Sequence, residues 1–162
     1  MKLKYRYPAL LSAALELSVA LAAPSIHSRH TTLSECLVEA QVPIMGSSST
    51  EWAKTILPYN LRAKYTPALL AIPESVNHVS AAVKCARAYG AKVQARGGGH
   101  SYAAMSIGGT DGSFIVDMKK FKSISVTSTG IATVGSGVRL GDLAIYLYNS
   151  GKRALPHGLC PG

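Results

Sequence analysis

Arg96-Gly97-Gly98-Gly99-His100-Ser101-Tyr102 follows directly on Lys92-Val93-Gln94-Ala95, so a glycine triplet, a histidine, a hydroxyl and an aromatic ring leave a strand-like run together. Glycines let backbone approach a ligand closely and turn successive N–H groups toward an anion. Further along, His157-Gly158-Leu159-Cys160 sets a cysteine in a second glycine-containing turn. A histidine and a cysteine, each beside a tight turn, could hold one large cofactor between them.

Three common motifs fail on this stretch. A dinucleotide fingerprint needs G-x-G-x-x-G opening a helix after a strand. Here the glycines are contiguous, and Ser101 to Gly109 reads as a loop. The second set, Gly135-Ser136-Gly137-Val138-Arg139-Leu140-Gly141, has the spacing G-x-G-x-x-x-G and misses it too. A phosphate-binding P-loop needs G-K-[ST], whereas Gly151-Lys152 is followed by Arg153. Zinc needs several ligands at fixed spacing, and His157-x-x-Cys160 supplies two. No metal site is expected.

Each residue also has an ordinary explanation. Taken alone, Gly97 to Gly99 reads as a tight turn. Alone, His100 reads as a loop or core histidine, and Cys160 as a small buried residue or half of a disulfide. Arg96, Lys152-Arg153 and Lys119-Lys120-x-Lys122 each read as solvated charge. The order in which the signals fall is what carries weight.

Ala95 to Tyr102, then Gly108-Gly109 and Phe114-Ile115-Val116-Asp117-Met118, resembles the covalent-flavin loop of the vanillyl-alcohol oxidase superfamily. Gly135 to Leu143 and Ala154 to Gly162 are similar to its berberine bridge enzyme-like branch, including fungal carbohydrate oxidases of the glucooligosaccharide oxidase type. The resemblance runs from about Leu33 to Gly162. It implies an α+β fold, the N-terminal part of a PCMH-type FAD-binding domain. It implies bicovalent FAD, with His100 bonded to the flavin 8α carbon and Cys160 to C6. The remaining cofactor-binding residues it implies are Arg96, Gly97, Gly98, Gly99, Ser101, Tyr102, His157 and Gly158.

Those residue types suit that chemistry. Neutral imidazole is a nucleophile near pH 7. The thiolate is the reactive form of cysteine and is favoured beside positive charge or a helix N-terminus. Both links should make the flavin more oxidising, while the protein supplies position and electrostatics. The resemblance implies hydride transfer from an alcohol or carbohydrate substrate to the flavin, with O2 as the acceptor. The substrate stays open between an oligosaccharide, oxidised at its anomeric carbon, and a secondary-metabolite alcohol or amine. In relatives the catalytic base, usually a tyrosine, and the substrate domain come later in the chain, so none is assigned here and residues 23–162 alone are expected to be inactive. Two alternatives stay open: a flavin dehydrogenase that reacts poorly with oxygen, and a secreted, non-catalytic remnant of a flavin fold serving as a binding or interaction module.

Composition bounds the rest. The chain has 162 residues, 48% of them hydrophobic, enough for one domain core and too many for disorder. Residues 1–22 read as a secretory signal peptide: Lys2, Lys4 and Arg6 precede a mostly apolar stretch, and Ala20-Leu21-Ala22 offers a small-x-small cleavage site. Glu16 interrupts that stretch and, with its shortness, argues against a membrane span. The net charge is +9, and losing Lys2, Lys4, Arg6 and Glu16 leaves +7. The basic residues are spread out with no dense helical face, so no nucleic-acid partner is expected. Asn60, Asn77 and Asn149 all lack a hydroxyl residue two places on, so N-glycosylation is not expected.

The predicted organisation is a signal peptide (1–22), a lead segment (23–65) and an incomplete FAD-binding domain (66–162). Thr32-x-x-Glu35 predicts a capping box, with Leu33, Cys36, Leu37 and Ala40 on one helical face. Residues 43–67 read as irregular, anchored by Trp52. Ala68 to Ile72 predicts a buried strand. Ser75 predicts the cap of a helix to Tyr89, stopped at Gly90, with Val76, Val79, Val83 and Ala86 as its apolar stripe. Lys92 to Arg96 returns as a parallel strand. Strands are also predicted at 114–118, 123–127, 131–134 and 153–156, and a helix runs through Leu140, Leu143, Ala144 and Leu147 to Gly151.

Cys36 and Cys85 remain. On that wheel Cys85 faces away from the sheet, where an N-terminal helix could dock and bring Cys36. A disulfide suits a secreted chain, and relatives have a comparable N-terminal pair; two free thiols are the alternative.

Overall fold

The computed structural model describes residues 32–159; the expected signal peptide, residues 23–31 and Cys160 lie outside them. Helix α1 (Leu33–Glu39) opens on the predicted capping box. Thr32 Oγ1 accepts from the Glu35 amide, and the Glu35 carboxylate accepts from the Thr32 amide, satisfying two donors of the first turn. Residues 43–67, predicted irregular, contain strand β1 (Ile44–Met45) and the one-turn helix α2 (Trp52–Thr55). Elements this short carry no readable periodicity; pairing and the burial of Trp52 define them.

Strand β2 (Leu69–Ala71) leads to helix α3 (Val76–Ala88), where Ser75 Oγ accepts from the His78 amide. Gly90 leaves that helix at φ +63°, the left-handed conformation glycine adopts without penalty. Then come β3 (Val93–Arg96), a 3₁₀ turn at Met105–Ile107, β4 (Phe114–Asp117), β5 (Ile124–Val126), β6 (Ala132–Val134) and α4 (Leu140–Asn149).

The main sheet has the order β1-β2-β4-β3. Strand β4 lies between β2 and β3 and is parallel to both, while β1 adds antiparallel to β2. The strand–helix–strand unit therefore spans an inserted strand. Strands β5 and β6 form a separate antiparallel pair. Every residue of β4 is buried, and alternation sends its side chains to two cores. Phe114 and Val116 meet Leu37, Ala82, Cys85 and Ala86 beneath α1 and α3; Ile115 meets Leu70 and Trp52 on the other face.

Three predictions need correction. The apolar stripe of α3 is turned: Ala86 is buried as expected, but Val76 and Val83 are 75% and 48% exposed, while Ala82 and Cys85, outside the predicted stripe, are buried. Small residues let α3 lie close to both the sheet and α1, which a ranking by hydrophobicity misses. Cys85 therefore faces the core rather than away from it, and it is bridged to Cys36, with Cα atoms 5.9 Å apart. The strand predicted at 153–156 is not formed; residues 153–158 are irregular and exposed, with no ladder partner among the described residues. Among the described residues no helix is long and apolar enough to cross a membrane.

Candidate functional site

A cavity of about 570 Å³ opens where the parallel strands β3 and β4 end, within the size range of small-molecule sites. The carboxyl ends of parallel strands are where open α/β sheets place ligands. Arg96 and Asp117, the last residues of β3 and β4, stand opposite each other in register. Their side chains are 10% and 4% exposed and form an ion pair at 2.5 Å. Arg96 Nη1 also donates to the Thr55 carbonyl at 2.8 Å, tying α2 to the strand ends. The second Asp117 oxygen accepts from the Lys119 amide at 3.1 Å. Arg96 is thus no solvated charge: it lines the cavity while its guanidinium is held by internal partners.

The triplet is pressed between two neighbours. A methyl at Gly97 would come within 3.0 Å of the Ser136 carbonyl. One at Gly98 would lie 3.0 Å from Arg139 Nη1 and 3.2 Å from Nδ1 and Cε1 of His100. Gly99, at φ +85°, then turns the chain. The loop's carbonyls are held as well: Arg139 Nη1 donates to Gly98 O at 2.6 Å, and Ser106 Oγ donates to Gly99 O at 3.1 Å.

His100 is half-buried and lines the cavity. Its ring meets that of Tyr59 edge-on, with centroids 5.4 Å apart. Tyr59 makes a second edge contact, also at 5.4 Å, with Tyr102, which is 72% exposed. Asn60 Nδ2 donates to the Tyr102 carbonyl at 2.7 Å. Ser101 Oγ accepts from the amide of Met105, the first residue of the 3₁₀ turn.

The predicted residues Arg96, Gly97, Gly98, Gly99 and His100 therefore share one cavity, with Ser101 and Tyr102 beside it. His157 and Gly158 are exposed and do not line it. His157 instead borders a pocket of about 160 Å³ against α4, with Leu147 and Leu155. Sequence reasoning did not assign Tyr59, Asn60, Ser106 or Arg139 to the site. Arg139 had a signal in its glycine-rich neighbourhood; Tyr59 and Asn60 had none, lying some 40 residues before the loop they touch.

The electrostatics favour an anion. Lys119 and Arg139 also line a second cavity of about 510 Å³ with Lys120 and Lys122, so the lysine run forms a cationic wall. Among the described residues no group of three or more His, Cys, Asp or Glu could hold a metal ion.

A model of the FAD binding domain family matches residues 67–161. The xylooligosaccharide oxidase of Thermothelomyces thermophilus is 44% identical over 146 residues, which cover 90% of this chain and 29% of that protein. The solved xylooligosaccharide oxidase of Myceliophthora thermophila C1, in complex with xylobiose, is similar with a TM-score of 0.76 and 45% identity, over 80% of this chain and 28% of that one. Glucooligosaccharide oxidase from Acremonium strictum, whose structure concerns a 6-S-cysteinyl, 8α-N1-histidyl FAD, is similar with a TM-score of 0.74 and 38% identity, over 78% of this chain and 26% of that one. The chain spans under a third of the length of these relatives.

Proposed function

The chain belongs to the FAD-binding domain family, and on that premise we propose that it is the cofactor-holding portion of a longer, secreted FAD-linked oxidase of oligosaccharides that uses O2 as acceptor. The observation that carries this is the glycine triplet at the strand ends, packed against its neighbours, with His100 lining the same cavity.

The residues present fit FAD. Gly97, Gly98 and Gly99 line the cavity with backbone, and Lys119 and Arg139 add positive charge suited to a diphosphate. His100, which lines the cavity, is proposed as one attachment point for the flavin ring and Cys160 as the second. Bound FAD supplies the two-electron acceptor that protein side chains lack. The chain's own part is to bind it, hold it in one orientation and keep the loop from moving. Arg96, Asp117 and Ser106 serve the last role, because their partners are the strand ends and the loop backbone.

Substrate class follows from the relatives, which are named for xylo- and glucooligosaccharides. The substrate groove and the base that takes the substrate proton are assigned to the further length such relatives have, since this chain spans 29% of the first of them. Secretion is supported by the Cys36–Cys85 bridge, which persists in oxidising compartments. Residues 1–22 are proposed as the leader and residues 66–162 as the FAD-binding unit.

The test is denaturing precipitation of the full-length protein. Flavin should stay on the polypeptide in the wild type, in His100→Ala and in Cys160→Ala, and leave only when both are replaced. Complete release from the wild type would refute bicovalent attachment. Peroxide formation should rise with xylo-, cello- or chitooligosaccharides and not with unrelated alcohols.

A further inference from the structure

We infer that Tyr59 is a positioning residue for covalent attachment: its ring holds the His100 imidazole in the orientation from which it bonds FAD. This rests on His100 being an attachment point. Three contacts point to it. The His100 ring lies close over Gly98, so near that a methyl there would meet Nδ1 and Cε1 at 3.2 Å. Tyr59 closes on the same ring edge-on, with an interplanar angle of 65°. The Tyr59 ring is itself fixed against Tyr102 at 88°. Gly98 and Tyr59 thus restrict the imidazole together, and an edge-to-face aromatic contact is directional where an aliphatic one is not.

The anchor behind Tyr59 is its neighbour. Asn60 Nδ2 donates to the Tyr102 carbonyl, and Asn60 Oδ1 accepts from the Arg62 amide at 3.1 Å. The segment carrying Tyr59 is therefore tied to the loop carrying His100. Tyr59 is 48% exposed, so its role is not to fill a core.

Attachment forms one bond, from an imidazole nitrogen of His100 to the 8α carbon. One hydrogen leaves that nitrogen and one leaves the methyl carbon, and the two electrons released with these two protons pass to dioxygen, giving hydrogen peroxide. The step needs the imidazole lone pair aimed at one carbon, and a misplacement of about 1 Å in such a reaction costs on the order of 100-fold.

The experiment uses full-length protein carrying Cys160→Ala, so that His100 is the single attachment point, produced without flavin and then mixed with FAD. The readouts are total bound FAD and the rate at which flavin becomes resistant to denaturing precipitation. Tyr59→Leu keeps bulk but not the ring; it should slow attachment by about 10- to 100-fold while binding as much FAD. Tyr59→Phe keeps the ring and should restore the rate. Equal rates in Tyr59→Leu and the Cys160→Ala parent would overturn the proposal. So would a Tyr59→Phe variant as slow as Tyr59→Leu, or a fall in total FAD that accounts for the slower rate. If the parent itself loses all flavin on denaturation while Cys160-intact protein keeps it, His100 is not an attachment point and both this proposal and the histidyl link fail together. That result is distinct from one confined to Tyr59.

Discussion

Asp117→Ala should be among the most damaging single substitutions near the site. The change strands the Arg96 guanidinium at the end of β3, where its side chain is 10% exposed. Removing one partner of a buried pair costs about 3–5 kcal/mol, because the other charge is left uncompensated. Arg96 keeps the Thr55 carbonyl, which favours the lower end, while the Lys119 amide loses Asp117, which adds to the loss. A figure of about 3 kcal/mol follows. With a urea slope of at least about 2 kcal/mol per M, the midpoint should fall by up to about 1.5 M. Arg96→Met combined with Asp117→Leu removes both charges and should recover to within about 1 kcal/mol of the wild type, since an apolar replacement of a whole pair is close to neutral. Urea unfolding of full-length protein, followed by flavin fluorescence, measures both. The double variant also separates two roles: if the pair only braces the strand ends, the variant takes up and attaches as much flavin as the wild type, whereas direct binding of the diphosphate by Arg96 predicts less FAD taken up at recovered stability. An Asp117→Ala midpoint unchanged from the wild type, or a double variant as unstable as the single one, would refute the account.

Replacing Cys36 and Cys85 by alanine removes a bridge with a sequence separation of 49, worth ~4 kcal/mol in the chain-entropy model; peptide mapping without reduction should find the two linked in the wild type, and calorimetry should show the variant melting lower. Gly137→Ala would place a methyl 2.1 Å from the Met118 carbonyl, a backbone atom that cannot swing aside. It should cost about 3 kcal/mol or more, whereas Gly46→Ala, whose methyl meets only Leu69 Cδ1 at 3.7 Å, should leave soluble yield unchanged. Thr32→Ala removes the side-chain half of the capping box and should cost about 1 kcal/mol, read from the same urea curves.

The sequence by itself was enough for features settled within a few residues. Thr32 and Ser75 cap helices because a hydroxyl reaches the next turn's amides in any context. The apolar run Phe114 to Val116 was readable as a strand, and motif order from Ala95 to Gly162 was enough to indicate a flavin-binding domain. Tertiary structure decided whatever depends on which surfaces meet. It turned α3 so that Ala82 and Cys85 face inward, because close approach of two neighbours rewards small side chains over hydrophobic ones. It placed β4 between β2 and β3, an order that no local pattern encodes. It made Arg96 an internal brace rather than a surface charge, because Asp117 ends the adjacent strand in register. It also brought Tyr59 and Asn60 onto the His100 loop. A propensity acts along the chain and can be read there; a contact between distant segments exists only once the chain has folded.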